Sequence, residues 1–375
     1  MIFSSKQPLF SRKYLLALVW VLPVAILILS RLSSNSDGRA EFIAPNQIWS
    51  QDEKSQVTIY FSQGSGLTTN DSARQALLLH GLALRLDDPQ INELLYQNGW
   101  RIKPQSSSLY TALTLSSASD INPEALSSLI SLLQQPPSID WTPVIERISA
   151  EAYLAAQSGR QRAINGLLSN GEALLANRTY VELVDQPMHL LFQGPTQPTP
   201  QEFSSDASIN SLLAGKSALS VRSKNAGTVN LWQLPSPQSV PEYLALQLVG
   251  QLVSDHMTQF PGARVQQLLT PQAPLLVVET VGDEAFLATQ LAEIEPTDTQ
   301  VHAAVDTLEE RWLAALEQRP MAWSEAILLF NLEPDALSSA FESLRADATE
   351  LIEPLIEQVT QSPDRRARLF TAEKG

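Results

Sequence analysis

Residues 57–80 read VTIYFSQGSGLTTNDSARQALLLH, and this stretch decides the fold of the first half of the chain. It begins with a run of β-branched and aromatic residues, 57–61, which is typical of a strand. Gly64 and Gly66 then indicate a turn. From Ser72 onward the chain shows the spacing of a helix that is apolar on one face. The positions that carry this spacing are Ala73, Ala76, Leu77, His80 and Leu84.

The same order of elements starts again in the second half of the chain. A strand is predicted at 228–234, a helix at 240–257 and a further strand at 274–282, with mainly helix from 298 to 359. We therefore predict an α+β fold of two similar lobes, each a sheet with helices, rather than one doubly wound sheet.

A stretch rich in proline, threonine and glutamine, GPTQPTPQEFSS, separates the two halves. Such a composition is typical of a boundary between domains. The predicted boundaries are an N-terminal lobe at 56–192, a linker at 193–225 and a C-terminal lobe at 226–375.

The N-terminus carries the apolar run YLLALVWVLPVAILIL, which has no charged residue. It predicts a transmembrane signal anchor at 14–32, preceded by a cytoplasmic N-terminus at 1–13 and followed by a tether at 33–55. Basic residues are more numerous before the run than after it, which favours a cytoplasmic N-terminus. A cleaved signal peptide is the alternative reading of the same segment.

The charge balance of the 375 residues excludes some classes of function. There are 25 Lys and Arg against 40 Asp and Glu, a net charge of −15, and there is no cysteine. Without a stripe of clustered cations we expect no nucleic-acid partner. Without cysteine there is no disulfide, thiolate zinc site or cysteine nucleophile.

The order of these elements resembles the pitrilysin-like (M16) metallopeptidases, which carry an inverted zinc-binding motif. In that family a strand and a Gly-Ser turn lead to a helix with H-x-x-E-H, and a later glutamate completes the metal site. The resemblance rests on a series of segments that follow in the same order in both lobes. They read VTIYFSQGS, ALLLH, INELLYQNG, SLYTALTL, PEALSSLISLL and VIERISAEAYLAAQ, then VNLWQLPSP, ALQLVGQLVSDH and GARVQQLL.

The resemblance implies a site whose chemistry is lost. Aligned on the motif, Ala76 takes the place of the first histidine, Leu79 that of the glutamate and His80 that of the second histidine. Glu151, or alternatively Glu146, stands near the position of the third ligand. Alanine and leucine offer no lone pair to a metal and no carboxylate to a water. We therefore expect no catalytic residue, no zinc and no other cofactor, with His80 and Glu151 as residual metal candidates.

In the second lobe the family binds substrate through an S-R-L-x-x-x-L-R stretch and a tyrosine. Arg264 matches the first arginine, whereas Leu269 or Thr270 stands at the second, and no tyrosine follows. We expect Arg264 to make an ion pair or hydrogen bond at the end of its helix, and keep it as a candidate binding residue. The basic run near the C-terminus is interpreted as a solvated end or as a site for an acidic partner. It contains Arg365, Arg366 and Arg368.

Other catalytic arrangements find no support in the sequence. His189, His256 and His302 are far apart and lack the spacing of metal ligands. There is no G-x-S-x-G elbow for a serine nucleophile. The resemblance thus implies a catalytically inactive, membrane-anchored partner or scaffold subunit, paired with an M16-type chain. Topology and resemblance together place it in an inner membrane with its body in the periplasm. The alternative is a zinc metalloendopeptidase with a rebuilt metal site.

Overall fold

The computed structural model of the chain describes residues 40–62, 66–107, 110–135, 140–169, 174–185, 188–201, 215–270, 273–281 and 284–371. The chain from Ala40 onward forms one compact unit. The predicted anchor at 14–32 lies outside the described residues. Among the helices within the described ranges, none combines the length and apolar character that crossing a membrane requires.

The strands of the described ranges belong to two sheets. In chain order they are β1 (Ala40–Ala44), β2 (Gln47–Gln51), β3 (Ser55–Ser62), β4 (Arg101–Ser106), β5 (Tyr110–Ser117), β6 (Met188–Gly194), β7 (Ala218–Arg222), β8 (Gly227–Gln233), β9 (Arg264–Leu268), β10 (Leu275–Thr280) and β11 (Arg365–Phe370).

The helices fall between these strands in two groups. They are α1 (Thr69–Leu86), α2 (Pro89–Gln97), α3 (Pro123–Gln134), α4 (Thr142–Ala156), α5 (Gly159–Leu168), α6 (Ala176–Val184), α7 (Val240–Met257), α8 (Glu284–Ala292), α9 (Asp298–Gln318), α10 (Ala322–Phe330) and α11 (Leu337–Thr360). The predicted helix at 240–257 is confirmed, as is the first strand, which lies within β3.

The two sheets share one topology. Sheet A has the strand order β1-β2-β6-β3-β5-β4 and sheet B the order β7-β11-β8-β10-β9. In sheet A, β2 is parallel to β6, and β6, β3, β5 and β4 alternate in direction. Sheet B repeats this, with β7 parallel to β11 and the remaining neighbours antiparallel. The prediction of two similar α+β lobes is therefore confirmed. Among the described strands, β1 of sheet A has no counterpart in sheet B.

The folded part begins before the predicted boundary. The tether expected at 33–55 is wrong from Ala40 onward, because this region forms β1 and β2. Ile48 of β2 lies opposite Leu191 of β6 and is fully buried. The strand partner is far along the chain, so the polar local composition gave no sign of it.

The predicted linker also contributes strands. β6 extends to Gly194, and the second lobe begins with β7 at Ala218 rather than at residue 226. Five-residue strands such as β7 are stabilised by their neighbour in the sheet rather than by their own sequence. The predicted linker at 193–225 therefore overlaps the end of β6 and the whole of β7.

One helix of each lobe packs on the sheet of the other lobe. Ile164 and Leu167 of α5, in the first lobe, share a buried cluster with Leu231 of sheet B. Ile327 of α10, in the second lobe, belongs to the buried cluster that contains Leu191 of sheet A. The opposite face of sheet A is covered by the first lobe's own helices, α1 among them. The lobes are thus joined by a reciprocal exchange of apolar helix faces.

The basic run near the C-terminus forms β11, so the expectation of a solvated end is wrong. β11 lies inside sheet B between β7 and β8, and its central residue Ala367 is buried. Arg366 and Arg368 flank Ala367 on the other face of the strand and are exposed. Arg365 instead lies on the same face as Ala367, is partly buried, and donates to the Leu167 carbonyl at 3.2 Å. The alternation of exposed and buried positions along the strand, which composition does not show, explains why the run suggested a polar tail.

Candidate functional site

The helix α1, which carries the aligned motif positions, begins at a well-formed N-terminal cap. Gly66 has a φ of 70°, which reverses the chain before the helix. The Thr68 hydroxyl accepts from the Asp71 N–H at 3.0 Å, and the Asp71 carboxylate accepts from the Thr68 N–H at 3.3 Å. This reciprocal capping fixes the start of the helix at Thr69 and with it the direction of every later side chain.

Ala76, at the position of the first motif histidine, lies in an apolar cluster. It is 6% exposed and packs in one buried group with Leu77 and with Val144 of α4. Ile148 and Trp141 are partly buried and pack against this group. The buried side chains that share this group with Ala76, Leu77 and Val144, are hydrocarbon and offer no ligand to a metal. No sequence motif singled out Val144 of α4.

His80 lies at the end of an aromatic stack. Its ring centroid is 5.8 Å from that of Trp141, which in turn is 6.0 Å from the ring of Tyr180. The Nε2 atom of His80 lies 3.3 Å from the backbone carbonyl oxygen of Asp140, within hydrogen-bonding distance. The next residue, Gly81, lets α1 approach these rings closely, since a Cβ there would overlap the ring of Tyr180. His80 is held by packing against an indole.

Glu151 lies away from His80 on α4. It lines a cleft of about 220 Å³ beside Ser72 and Ala73, near the start of α1, and pairs with Arg147 at 3.8 Å. His80 instead contacts Trp141, next to the start of α4. The ten residues from Trp141 to Glu151 correspond to about 15 Å of helix. The structure therefore does not bring the two residual metal candidates together.

The alternative third ligand, Glu146, is exposed on α4, and Leu79 is partly exposed on α1. Within the described ranges, no three His, Asp or Glu side chains converge closely enough to hold a metal ion. Zinc in proteins of this kind requires His and carboxylate ligands around one point. The residues at the aligned positions therefore do not fit a zinc ion.

The second-lobe positions form no cationic site either. Arg264 is the exposed first residue of β9, opposite Glu279 of β10, so the expectation that it ends a helix is wrong. The glutamate it faces already accepts from Arg160 of α5 at 2.5 Å. Leu269 is partly buried, and Thr270 is buried with its hydroxyl donating to the Ala273 carbonyl at 2.7 Å. The strand pairing of β9 decides these positions, which local periodicity did not reveal.

The remaining histidines stand apart from one another. His302 is exposed on α9, and His256 of α7 packs against Phe260 with ring centroids 5.7 Å apart. His189 of β6 is buried between sheet A and α10. Burial lowers the pKa of His189 from 6.5 to about 4, against a hydrogen bond to the Leu328 backbone that raises it.

A polar group at the junction of the lobes was not anticipated from the sequence. The Tyr110 hydroxyl donates to the Glu325 carboxylate at 3.4 Å and accepts from Arg319 at 3.0 Å. Arg319 and Glu325 also form an ion pair. Tyr60 lies edge-on to Tyr110 with ring centroids 5.1 Å apart, and burial, aided by the charge of Glu325, raises the pKa of both tyrosines. Only the tertiary approach of α10 to sheet A assembles this group.

Comparison with known proteins places the fold in a class. No protein-family model matches the sequence, and no curated protein is significantly similar to it. Among solved structures, a protease from Helicobacter pylori superposes with a TM-score of 0.58 at 10% identity, covering 89% of this chain and 98% of that one. An M16-like peptidase from Alicyclobacillus acidocaldarius superposes with a TM-score of 0.56 at 12% identity, covering 89% and 98%.

A third similar structure is the ferredoxin protease FusC in complex with Arabidopsis ferredoxin. The TM-score is 0.54 at 14% identity, and the match covers 88% of this chain but 44% of FusC, so this chain spans less than half of that protein. The fold is thus that of M16-like peptidases, as the order of the sequence motifs implied. The likeness concerns the fold alone, because the identities are low.

Proposed function

We propose that this chain is a non-catalytic member of the M16 fold class that acts as a partner or scaffold subunit for another protein. The observation that carries the proposal is that Ala76 lies in one apolar cluster with Leu77 and Val144. Hydrolysis in this class needs a metal-bound water and a carboxylate to take its proton. Here an apolar cluster that includes Ala76 of α1 and Val144 of α4 stands at the first of the aligned positions, and it offers neither a ligand to a metal nor a carboxylate to a water.

Exposed apolar side chains on α4 support a binding role. Val144 is the buried residue of this helix, whereas Ile145, Tyr153 and Leu154 are 46%, 69% and 68% exposed. Neighbouring large apolar side chains at a protein surface often mark contact with another protein. Among proteins with a similar fold, FusC has been solved in complex with another protein, ferredoxin. We propose an M16-type chain as the partner of this protein.

We further propose that the body is tethered to an inner membrane by residues 14–32 and lies in the periplasm. The support is the uncharged run within this segment and the basic residues before it. A periplasm-specific reporter fused after residue 50 should be active and stay with the membrane fraction after a salt wash. Recovery of a soluble, shortened reporter would show instead that the segment is a cleaved signal.

The experiment that tests the loss of catalysis is metal analysis combined with a peptidase assay. After dialysis against buffer that contains a trace of zinc, the purified chain should hold no stoichiometric zinc. It should also not cleave any peptide in a library of unstructured peptides. About one zinc per chain that is lost in His80→Ala, together with cleavage that a chelator stops, would establish the alternative of a rebuilt metal site.

A further inference from the structure

Strand β7 is an edge of sheet B that no described strand covers. In sheet A the equivalent strand β2 carries the additional strand β1, joined to it by a short turn. Directly before β7 the chain contacts α5 instead of forming such a strand: the Lys216 N–H donates to the Gly166 carbonyl at the end of α5 at 2.8 Å. Within the described part of the chain, sheet B therefore has no counterpart of β1.

The backbone of β7 presents hydrogen-bonding groups at this edge. In a parallel pair, alternate residues of a strand bond to the same neighbour. The Ser217 carbonyl accepts from β11 at 2.9 Å, and the Ser223 N–H donates to β11 at 2.8 Å. Residues with odd numbers thus face β11. The residues of even number, Ala218, Ser220 and Arg222, direct their backbone groups to the open edge.

Arginines border the same edge. Arg222, Arg366 and Arg368 are exposed, and the register of β7 against β11 puts all of them on one face, away from α5. On α5, Arg162 donates to the Arg222 carbonyl at the end of the edge. This local concentration of cations contrasts with the net charge of −15 of the chain. A strongly cationic patch on an acidic protein favours an anionic partner.

We propose that β7 binds an extended, acidic segment of a partner protein as an added strand of sheet B. The inference rests on the proposed role as a partner subunit and names the chemistry of the contact. Backbone hydrogen bonds to Ser220 would supply affinity, and acidic side chains at every second position of the segment would face Arg222 and Arg368. The proposed ligand of this edge is a protein segment and not a lipid surface, because anionic membranes repel a protein of this net negative charge.

The test is binding of a fluorescent peptide, Glu-Thr-Glu-Val-Glu-Thr-Glu, to the full chain purified in detergent. We expect saturable binding that weakens when NaCl is raised from about 0.05 to 0.5 M, since salt screens exposed charges. Charge reversal by Arg222→Glu with Arg368→Glu should weaken binding about tenfold or more. The matched control is Arg101→Glu, a reversal of an exposed arginine on the edge strand β4, which should leave the affinity unchanged.

Two further measurements address the backbone contact. Ser220→Pro removes an N–H that points to the open edge and keeps the bonds to β11, so it should fold and bind the peptide weakly. Independently of that variant, a peptide N-methylated at alternate amides should bind weakly. Hydrogen exchange of the Ser220 amide should slow when the unmodified peptide is added.

Several results would overturn the inference. These are equal binding of the peptide with lysine in place of glutamate, an unchanged affinity in the double reversal, and capture by phosphatidylglycerol vesicles without peptide binding. Strong protection of the Ser220 amide before peptide is added would show that the chain itself fills the edge. Any of these leaves the proposed function standing, because that proposal fails only on the zinc and peptidase measurements.

Discussion

Tyr110 of β5 and Glu325 of α10 meet across the junction of the two lobes, with the phenol oxygen 3.4 Å from the carboxylate. The same hydroxyl accepts from Arg319 at the end of α9. The contact links sheet A of the first lobe to a helix of the second, beside the apolar packing of α10 on the sheet. Because apolar contacts have little directional preference, this polar group is suited to fixing how α10 sits on the sheet.

Tyr110→Phe should destabilise the protein modestly. The ring contact with Tyr60 is kept, and the ion pair between Arg319 and Glu325 is kept, so the loss is that of the two hydrogen bonds of the hydroxyl, about 2 kcal/mol of unfolding free energy. Urea unfolding would measure it as a lower midpoint at an unchanged slope. Tyr96→Phe is the control, since Tyr96 is 87% exposed. An equal shift in both variants would argue against a role for the junction.

Stability should fall as the pH falls below the ordinary pKa of histidine, through His189. Its pKa is lowered by burial from 6.5 to about 4. Between these values the unfolded chain binds a proton that the folded chain does not, so the folded state loses stability as the pH drops toward 4. The contribution is fully present above pH 6.5.

The measurement is the free energy of unfolding at pH 7 and at pH 4.5 in the wild type and in His189→Gln. The wild type should lose on the order of 2–3 kcal/mol more than the variant. His302→Gln, at an exposed position of α9, should lose as much as the wild type. Identical pH dependence of the wild type and His189→Gln would contradict the prediction.

Gly81→Ala should destabilise the helix contact beside His80. A Cβ at Gly81 would overlap the Tyr180 ring and lie 3.1 Å from Trp141. Tyr180 is fully buried and its hydroxyl donates to the Leu133 carbonyl at 3.0 Å, so the ring cannot easily move. We expect a loss of about 1–3 kcal/mol, despite the better helix propensity of alanine.

The matched control is Gly166→Ala in α5. The nearest atom there is the flexible tip of Leu219, at 3.2 Å. This variant should be close to neutral or slightly more stable, because the gain in helix propensity meets only a side-chain tip. Thermal unfolding of both variants side by side would measure the difference. A larger loss in Gly166→Ala than in Gly81→Ala would sink the argument from close approach.

Restoring the motif in α1 alone should not create a zinc site. Ala76→His with Leu79→Glu puts an imidazole into the tight cluster with Val144 and gives it no third ligand, because Glu151 lies nearer the start of α1. We expect the double variant to be a few kcal/mol less stable and not rescued by zinc. Adding Val144→Glu should produce zinc-dependent stabilisation, measured as a rise in Tm. Stoichiometric zinc in the double variant would refute this placement of the third ligand.

The sequence by itself determined which segments become the longer helices and the central strands. The apolar spacing of α7 and the β-branched run of β3 act locally, since each element must bury one face whatever its neighbour. The repeated order of strand, helix and strand was enough to predict two similar lobes. The prediction that the aligned positions bind no metal also came from the sequence alone, because Ala76 and Leu79 have no metal-binding donor atoms.

Only the tertiary structure decided the edge strands β1, β7 and β9, the strand β2 beside β1, the place of β11 inside sheet B, and the exchange of α5 and α10 between the lobes. Short strands are stabilised by pairing with strands that are distant in sequence. Their own residues therefore have a composition that is also typical of a tether or a polar tail. The same holds for the site. Whether Glu151 could approach His80 depends on how α4 packs along α1. Val144, a residue without chemical signature, joins Ala76 in one apolar cluster because the close packing of the two helices brings it there, which local sequence does not specify.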